Sequence, residues 1–343
     1  MFRSSPLVLL LVSLPVLGQA VPAYPNTATF GVPFSADEAW YRQCKRVEHR
    51  GAPGTGARMA DAAQCDATSL YYDQRSRAGS SAAQWQAVRE CALASGDKPV
   101  LMMMYANGFG VERDVDVAMH YACGLDFSAK AEMEARIAHL ASMHPGSPVF
   151  DQCDDITSGY MGSVCAQIRE RQAGRARDAR LARMAGQFPE GARDRFEALR
   201  TAAEAYATAG AGETDMQGTA ASARATARHG RLREQFMQAA LDAAAGKLPP
   251  ASAEQVAGLD RDLNRVYRQV MAIPSAQANW PERIGESTIS RADVRAAERR
   301  WIAYRDAFLA FGAQLPPGSD THAIHALLLR QRIEALKRVA RYR

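Results

Sequence analysis

Apolar residues in the last third of the chain recur at alternating spacings of three and four. Over Ser290 to Gly312 they are Val294, Ala297, Trp301, Tyr304, Phe308 and Phe311, which places all six on one side of an α-helix. The other side is polar. Ser290 is positioned to cap the first turn with Asp293 three residues on, Ile289 to pack against Val294, and Gly312 to stop the helix. Upstream, Ser252 with Gln255 opens a helix whose stripe is Val256, Leu259, Leu263, Val266 and Val270, ended by Pro274. The two stripes are expected to bury each other.

The same pattern runs through the rest of the chain. Ser35 and Glu38 form a capping box before a short helix over residues 36–48, which a glycine-rich loop, GAPGTG, breaks. Helical segments then recur in pairs: Tyr72 to Tyr105 is 33 residues and Cys91 to Cys123 is 32, the period of a helical solenoid. The helix AKAEMEARIAHLASM is expected to cover the open end of that stack. Pro145-Gly146-Ser147-Pro148 marks a boundary, giving a repeat domain over 34–144 and a bundle domain over 149–343.

In the second part, a charged helix is expected from Ala166 to about Leu181, then an apolar stripe of Phe196, Leu199, Ala203 and Tyr206, then a long helix from Thr226 to Ala244. LRTAAEAYAT aligns with VRAAERRWIAY, Tyr206 on Trp301, as a worn duplication would. A last helix from Thr321 carries Ile324, Leu327, Leu328, Ile333, Leu336 and Val339 and ends in basic residues that suit the helix dipole. The fold class expected is all-α: helical-hairpin repeats followed by an antiparallel helical bundle.

Two resemblances sharpen this. LMMMYANGFGVERDVDVAMHYA resembles a SEL-type repeat of the tetratricopeptide class, with Leu101, Tyr105, Gly108, Gly110, Val111, Asp114, Ala118 and Tyr121 at that family's positions. Physically, Gly108 and Gly110 let the chain turn sharply between helices and Asp114 can cap the second. LDRDLNRVYRQVM followed by RRWIAYRDAF resembles the lysozyme inhibitor LprI-like family; the matched residues are Leu263, Asn264, Tyr267, Trp301, Tyr304, Arg305 and Asp306. Glu298 stands where many members have Gln.

Composition places the chain outside the cytoplasm. Arg3, the apolar run Leu7 to Leu17 and Gly18-Gln19-Ala20 read as a signal peptide cleaved after Ala20, and the run is too short to span a bilayer. The mature chain is therefore expected in the periplasm or secreted, without stable membrane insertion. Six cysteines, Cys44, Cys65, Cys91, Cys123, Cys153 and Cys165, agree with an oxidising compartment. Of the fifteen connectivities that six allow, pairing in sequence order is favoured here, 44 with 65, 91 with 123 and 153 with 165. The net charge of +5 divides into −2 over residues 24–150 and +6 over 151–343, and Arg alternates with Asp and Glu along helices. That is a solvated helix surface, not a nucleic-acid footprint.

Catalytic chemistry is not legible. The sequence has no G-x-S-x-G, no phosphate loop and no H-E-x-x-H. His139 with His144, and His322 with His325, lack metal-site spacing, Met102 to Met104 read as core, and the acids around Asp154 and Asp155 match no calcium loop, so no cofactor or metal is expected. Glu213, Asp215, Gly218 and Thr219 form a polar connection that serves as a turn or as a ligand-facing loop. The LprI-like resemblance implies a non-catalytic protein that occludes a lysozyme; the charge division favours contact through the acidic N-terminal repeats. The alternative is an envelope adaptor that grips another protein through its repeats.

Overall fold

The computed structural model describes residues 23–51, 65–77, 79–315 and 320–342. The expected signal peptide and most of the GAPGTG loop lie outside them. Among the described residues there are twelve α-helices, no β-strand, and two isolated bridges in the connection after Met271, so the fold is all-α. None of the helices is long and apolar enough to cross a membrane.

The first six helices are α1 (Ala39–Arg46), α2 (Ala67–Arg75), α3 (Ala82–Ser95), α4 (Lys98–Asn107), α5 (Val115–Cys123) and α6 (Lys130–Ser142). Helices α2 and α3 pair, α4 pairs with α5, and α6 covers α5. The α4–α5 turn is built as its residues require. Gly108 and Gly110 have φ of +72° and +69°, and the Asp114 carboxylate accepts from the amides of Asp116 and Val117 to start α5. Gly110 is also a contact: a Cβ there would lie 2.3 Å from Trp85 Cβ. Leu101, Ala118 and all three methionines, Met102 to Met104, are buried in a core that Tyr105, stacked on Tyr121, helps to close.

Helix α1 begins at Ala39, after its expected start, and Glu38 accepts from the Ser35 amide and Trp40 Nε1 and pairs with Lys130 on α6. It then folds back over α5 and α6 instead of stacking on the first hairpin. This overturns two of the expected cystines. Cys44 on α1 bonds to Cys123 on α5, and Cys65 bonds to Cys91 across the α2–α3 pair, while Cys153–Cys165 is as expected. The bidentate Arg46–Asp116 pair holds α1 and α5 together beside the first of these.

The remaining helices are α7 (Gly159–Ala185), α8 (Glu190–Ala211), α9 (Ala221–Ala244), α10 (Ala253–Met271), α11 (Arg291–Gly312) and α12 (Thr321–Val339). Both capping boxes expected in this half are formed, at Ser252/Gln255 and Ser290/Asp293. Gly312 does not end α11 by a left-handed turn. It is there for closeness, since a Cβ would sit 2.5 Å from Ile324 Cδ1 of α12.

The stripes of α10 and α11 share one core, yet they are not each other's nearest neighbours. Helix α11 packs along α8, antiparallel, with Tyr206 stacked on Tyr304 and Phe196 beside Phe311; α10 packs along α12, and α7 along α9. The amide before α10, of Ala251, donates to the Asp320 cap of α12, so those two helices start together and run parallel. Helices α7 and α9 run parallel too, with Gly159 against Thr219 and Glu170 against Arg233. A parallel pair, α7 with α9 and α10 with α12, thus occurs twice, and the two sets meet through α8 and α11. Helix α7 serves both halves: Ile168 belongs to the first core and Leu181 to the second, and Phe150 is wholly buried in the first.

Gly110→Ala is expected to lower stability by ~1–3 kcal/mol through backbone strain and collision with Trp85. Urea denaturation monitored by circular dichroism reads the shift.

Candidate functional site

The second half is centred on a buried ionic cluster. Glu213, just after α8, has no exposed side-chain surface. Its carboxylate accepts from Arg332 of α12 through Nη1 at 3.0 Å and Nη2 at 2.8 Å, and from Arg228 Nη2 of α9 at 2.6 Å. Arg332 Nε donates to Glu298 of α11 at 2.8 Å, so two cations meet two anions. The Arg332 side chain is fully buried, and the pairing keeps its guanidinium charged against a large desolvation cost. Burial pushes the nearby Tyr206 hydroxyl upward in pKa.

This cluster accounts for the Glu213 loop. Asp215 Oδ1 accepts from the amide and hydroxyl of Thr288 at 3.0 and 3.1 Å, Gly218 takes a φ of +76°, and Thr219 lies against Gly159 at the start of α7. The carboxylates of Glu213 and Asp215 are thus engaged within the chain, while the Thr214 hydroxyl is buried without a hydrogen-bond partner among the described residues. Sequence reasoning missed the two arginines, although a signal was present. Arg332 sits between Leu328 and Leu336, and Arg228 four before Leu232, at positions that continue apolar stripes.

The residues matched to the LprI-like pattern divide into an inner and an outer set. Leu263, Trp301 and Tyr304 are buried, Tyr267 lies at the core edge, and burial raises the Tyr304 hydroxyl well beyond its usual range. The outer set is polar. Asn264 Nδ2 donates to the Asp260 carbonyl at 2.9 Å, and Arg305 pairs with Asp306 while its guanidinium lies 5.4 Å from the Trp301 ring centroid. His325 of α12 completes this face, since Arg305, Asp260, Asp306 and His322 are the charged or titratable groups acting on it. Its Nε2 is buried without a hydrogen-bond partner.

Residues 250–336 match the family model described as lysozyme inhibitor LprI. The match covers α10, α11 and α12 as far as Leu336, and so includes both the outer face and the Arg332–Glu298 half of the ionic cluster. At the level of family, this C-terminal region is lysozyme-inhibitor-like. No curated protein and no solved structure matches the chain.

The other sequence candidates find structural partners. His139 Nδ1 lies 3.0 Å from Asp155 and its ring packs on Phe150, and His144 Nδ1 is 2.9 Å from the Pro145 carbonyl. Asp154 accepts from the Asp151 amide and Asp151 from the Cys153 amide, at the entry to the Cys153–Cys165 segment. Among the described residues no group of three or more His, Cys, Asp or Glu is placed to hold a metal ion, and no cysteine is free.

Arg332→Met is expected to cost ~3–5 kcal/mol in denaturant unfolding, because Glu298 and part of Glu213 would be left buried without their cation. Burial, and then Arg305, hold the His325 imidazole below its usual pKa, so the folded state binds fewer protons than the unfolded one. Its contribution to stability is therefore full above the ordinary imidazole value and falls as pH drops toward the folded value. Comparing urea midpoints at about pH 7.5 and about pH 5 for the wild type and His325→Asn should show a smaller loss in the variant.

Proposed function

We propose that this chain is an exported, non-catalytic protein that binds a lysozyme and blocks its cleft by contact, without turnover. The observation that carries the reading is the match of residues 250–336 to an inhibitor family. The three disulfides support an extracytoplasmic setting. Since Trp301 and Tyr304 are consumed by the core, partner contact falls to the outer set, Asn264, Arg305 and Asp306 with Asp260 and His325 beside them.

Charge favours this face over the bundle as a whole. Residues 151–343 carry 29 basic against 23 acidic side chains, which would repel a basic enzyme. Asp306 exposes more than half of its side chain beside Arg305, and with Asp260 it offers carboxylate oxygens on which the cationic groups of a basic partner can dock. The net-acidic N-terminal half is the competing contact surface, and it is separable by mutation.

Purified protein lacking residues 1–20 should suppress lysis of a cell-wall suspension by an animal lysozyme at stoichiometric ratio. A triple variant, Asp260→Ala, Asn264→Ala and Asp306→Ala, should weaken inhibition about tenfold or more if this face docks. Charge reversal at exposed acids of the first half should leave inhibition intact; the opposite pattern would move the contact to the N-terminal repeats. Undiminished lysis with the wild type would reject the inhibitor reading in favour of an envelope adaptor.

A further inference from the structure

A cavity of about 330 Å³ lies where α2, the start of α4, the turn after Leu125 and the first turns of α7 meet. One wall is apolar, made by Leu125, Met161 and Ile168. Phe127 and Tyr160 also line it, 60% and 56% exposed with ring centroids 5.2 Å apart, so an aromatic pair stands at the mouth. Large exposed aromatics beside a cavity are surface that a ligand would cover.

The polar feature of the cavity is Arg136, only 1% exposed. Its guanidinium is poorly served. Nη1 reaches Ser128 Oγ at 3.3 Å and Nη2 the Gln152 carbonyl at 3.4 Å, both long bonds to neutral acceptors, and Nε has no partner among the described residues. The nearest acids are otherwise engaged. Glu132 accepts from the amides of Ala129, Thr157 and Ser158, and Asp155 faces His139. Burial without a contacting anion lowers the Arg136 pKa. A buried cation with an idle donor is costly, and an apolar residue of similar volume would spare that cost.

The rest of the lining is largely satisfied. Of the acids on the opposite wall, Asp126 is paired with Lys98 and Asp66 with Arg171, while Asp97 accepts from the Val100 amide and the Thr68 hydroxyl. The amides that lead into α7, of Thr157 and Ser158, are taken by Glu132. Among the described residues Arg136 is thus the cation of the lining that makes no ion pair.

We propose that this cavity binds an apolar carboxylate, its carboxyl group accepting from Arg136 and its hydrocarbon or aromatic part lying on Leu125, Met161 and Ile168 beneath Phe127 and Tyr160. Such a group comes from a free acid or from the C-terminus of a peptide. The specificity rests on charge, because a neutral amide of the same shape leaves the guanidinium uncompensated.

Calorimetry on the intact oxidised protein would use N-acetylphenylalanine and its neutral amide, and a hexapeptide ending in phenylalanine with a free or an amidated C-terminus. The expected result is that at least one carboxylate binds about tenfold or more tighter than its amide. Preference in the small pair alone identifies a free acid, and preference in the hexapeptide pair identifies a chain terminus. Phe127→Ser, at an exposed position, should weaken the carboxylate, and Arg136→Gln, if folded by circular dichroism, should erase the preference. Equal binding of acid and amide in both pairs, no saturable binding at millimolar concentration, or a folded Arg136→Gln that keeps the preference would overturn the proposal.

Discussion

The contact on which the second half depends is the carboxylate of Glu213 held between Arg332 and Arg228, with Glu298 closing the far side of Arg332. Four separate pieces of chain meet there: the α8–α9 connection, α9, α11 and α12. Apolar packing alone would let helices of this size slide or rotate over one another at modest cost, since leucine and alanine ridges are interchangeable. A largely buried quartet of charges resists such slippage, because a shift leaves a charge unpaired. The aromatic ladder of Tyr206, Tyr304, Phe308 and Phe311 can therefore be well ordered, its register being set at one end.

The first half solves the same problem covalently. Its helices are short, from eight to fourteen residues, and each pair buries little by itself. Cys44–Cys123 closes a long stretch of chain and holds α1 onto α5, and Tyr24 and Asn26 in the leader reach back to His120, Cys123 and Asp126. This division of labour suits an oxidising compartment, since disulfides persist where the chain is oxidised.

How far the sequence could be read follows from which interactions are local. Helix starts at Ser252 and Ser290, the glycine turn at Gly108 to Gly110 and the Asp114 cap are decided within a few residues, and each is found where its residues ask for it. The all-α class and the LprI-like region were legible for the same reason. The partners of Cys44, Cys65, Cys91 and Cys123 were not, because α1 folds back across α5 and α6, and nothing near Cys44 announces that path, whereas the local Cys153–Cys165 pair was. Nor was the partner of the α11 stripe: one apolar face fits another, so periodicity shows that α11 is buried but not that α8 covers it. The buried arginines at positions 136, 228 and 332 lay in plain view on apolar stripes, but composition counts them with the solvated majority.

Helix α7 gives the molecule one more property. Because its early turns belong to the first core and its late turns to the second, no cut through the Pro145 to Pro148 segment yields two complete pieces. An N-terminal fragment ending there would lose Phe150 and Ile168 from its interior, and in the matching C-terminal fragment the early turns of α7 would keep α9 on one side and lose the first core on the other. A pull on either end of α7 is therefore felt in both cores at once.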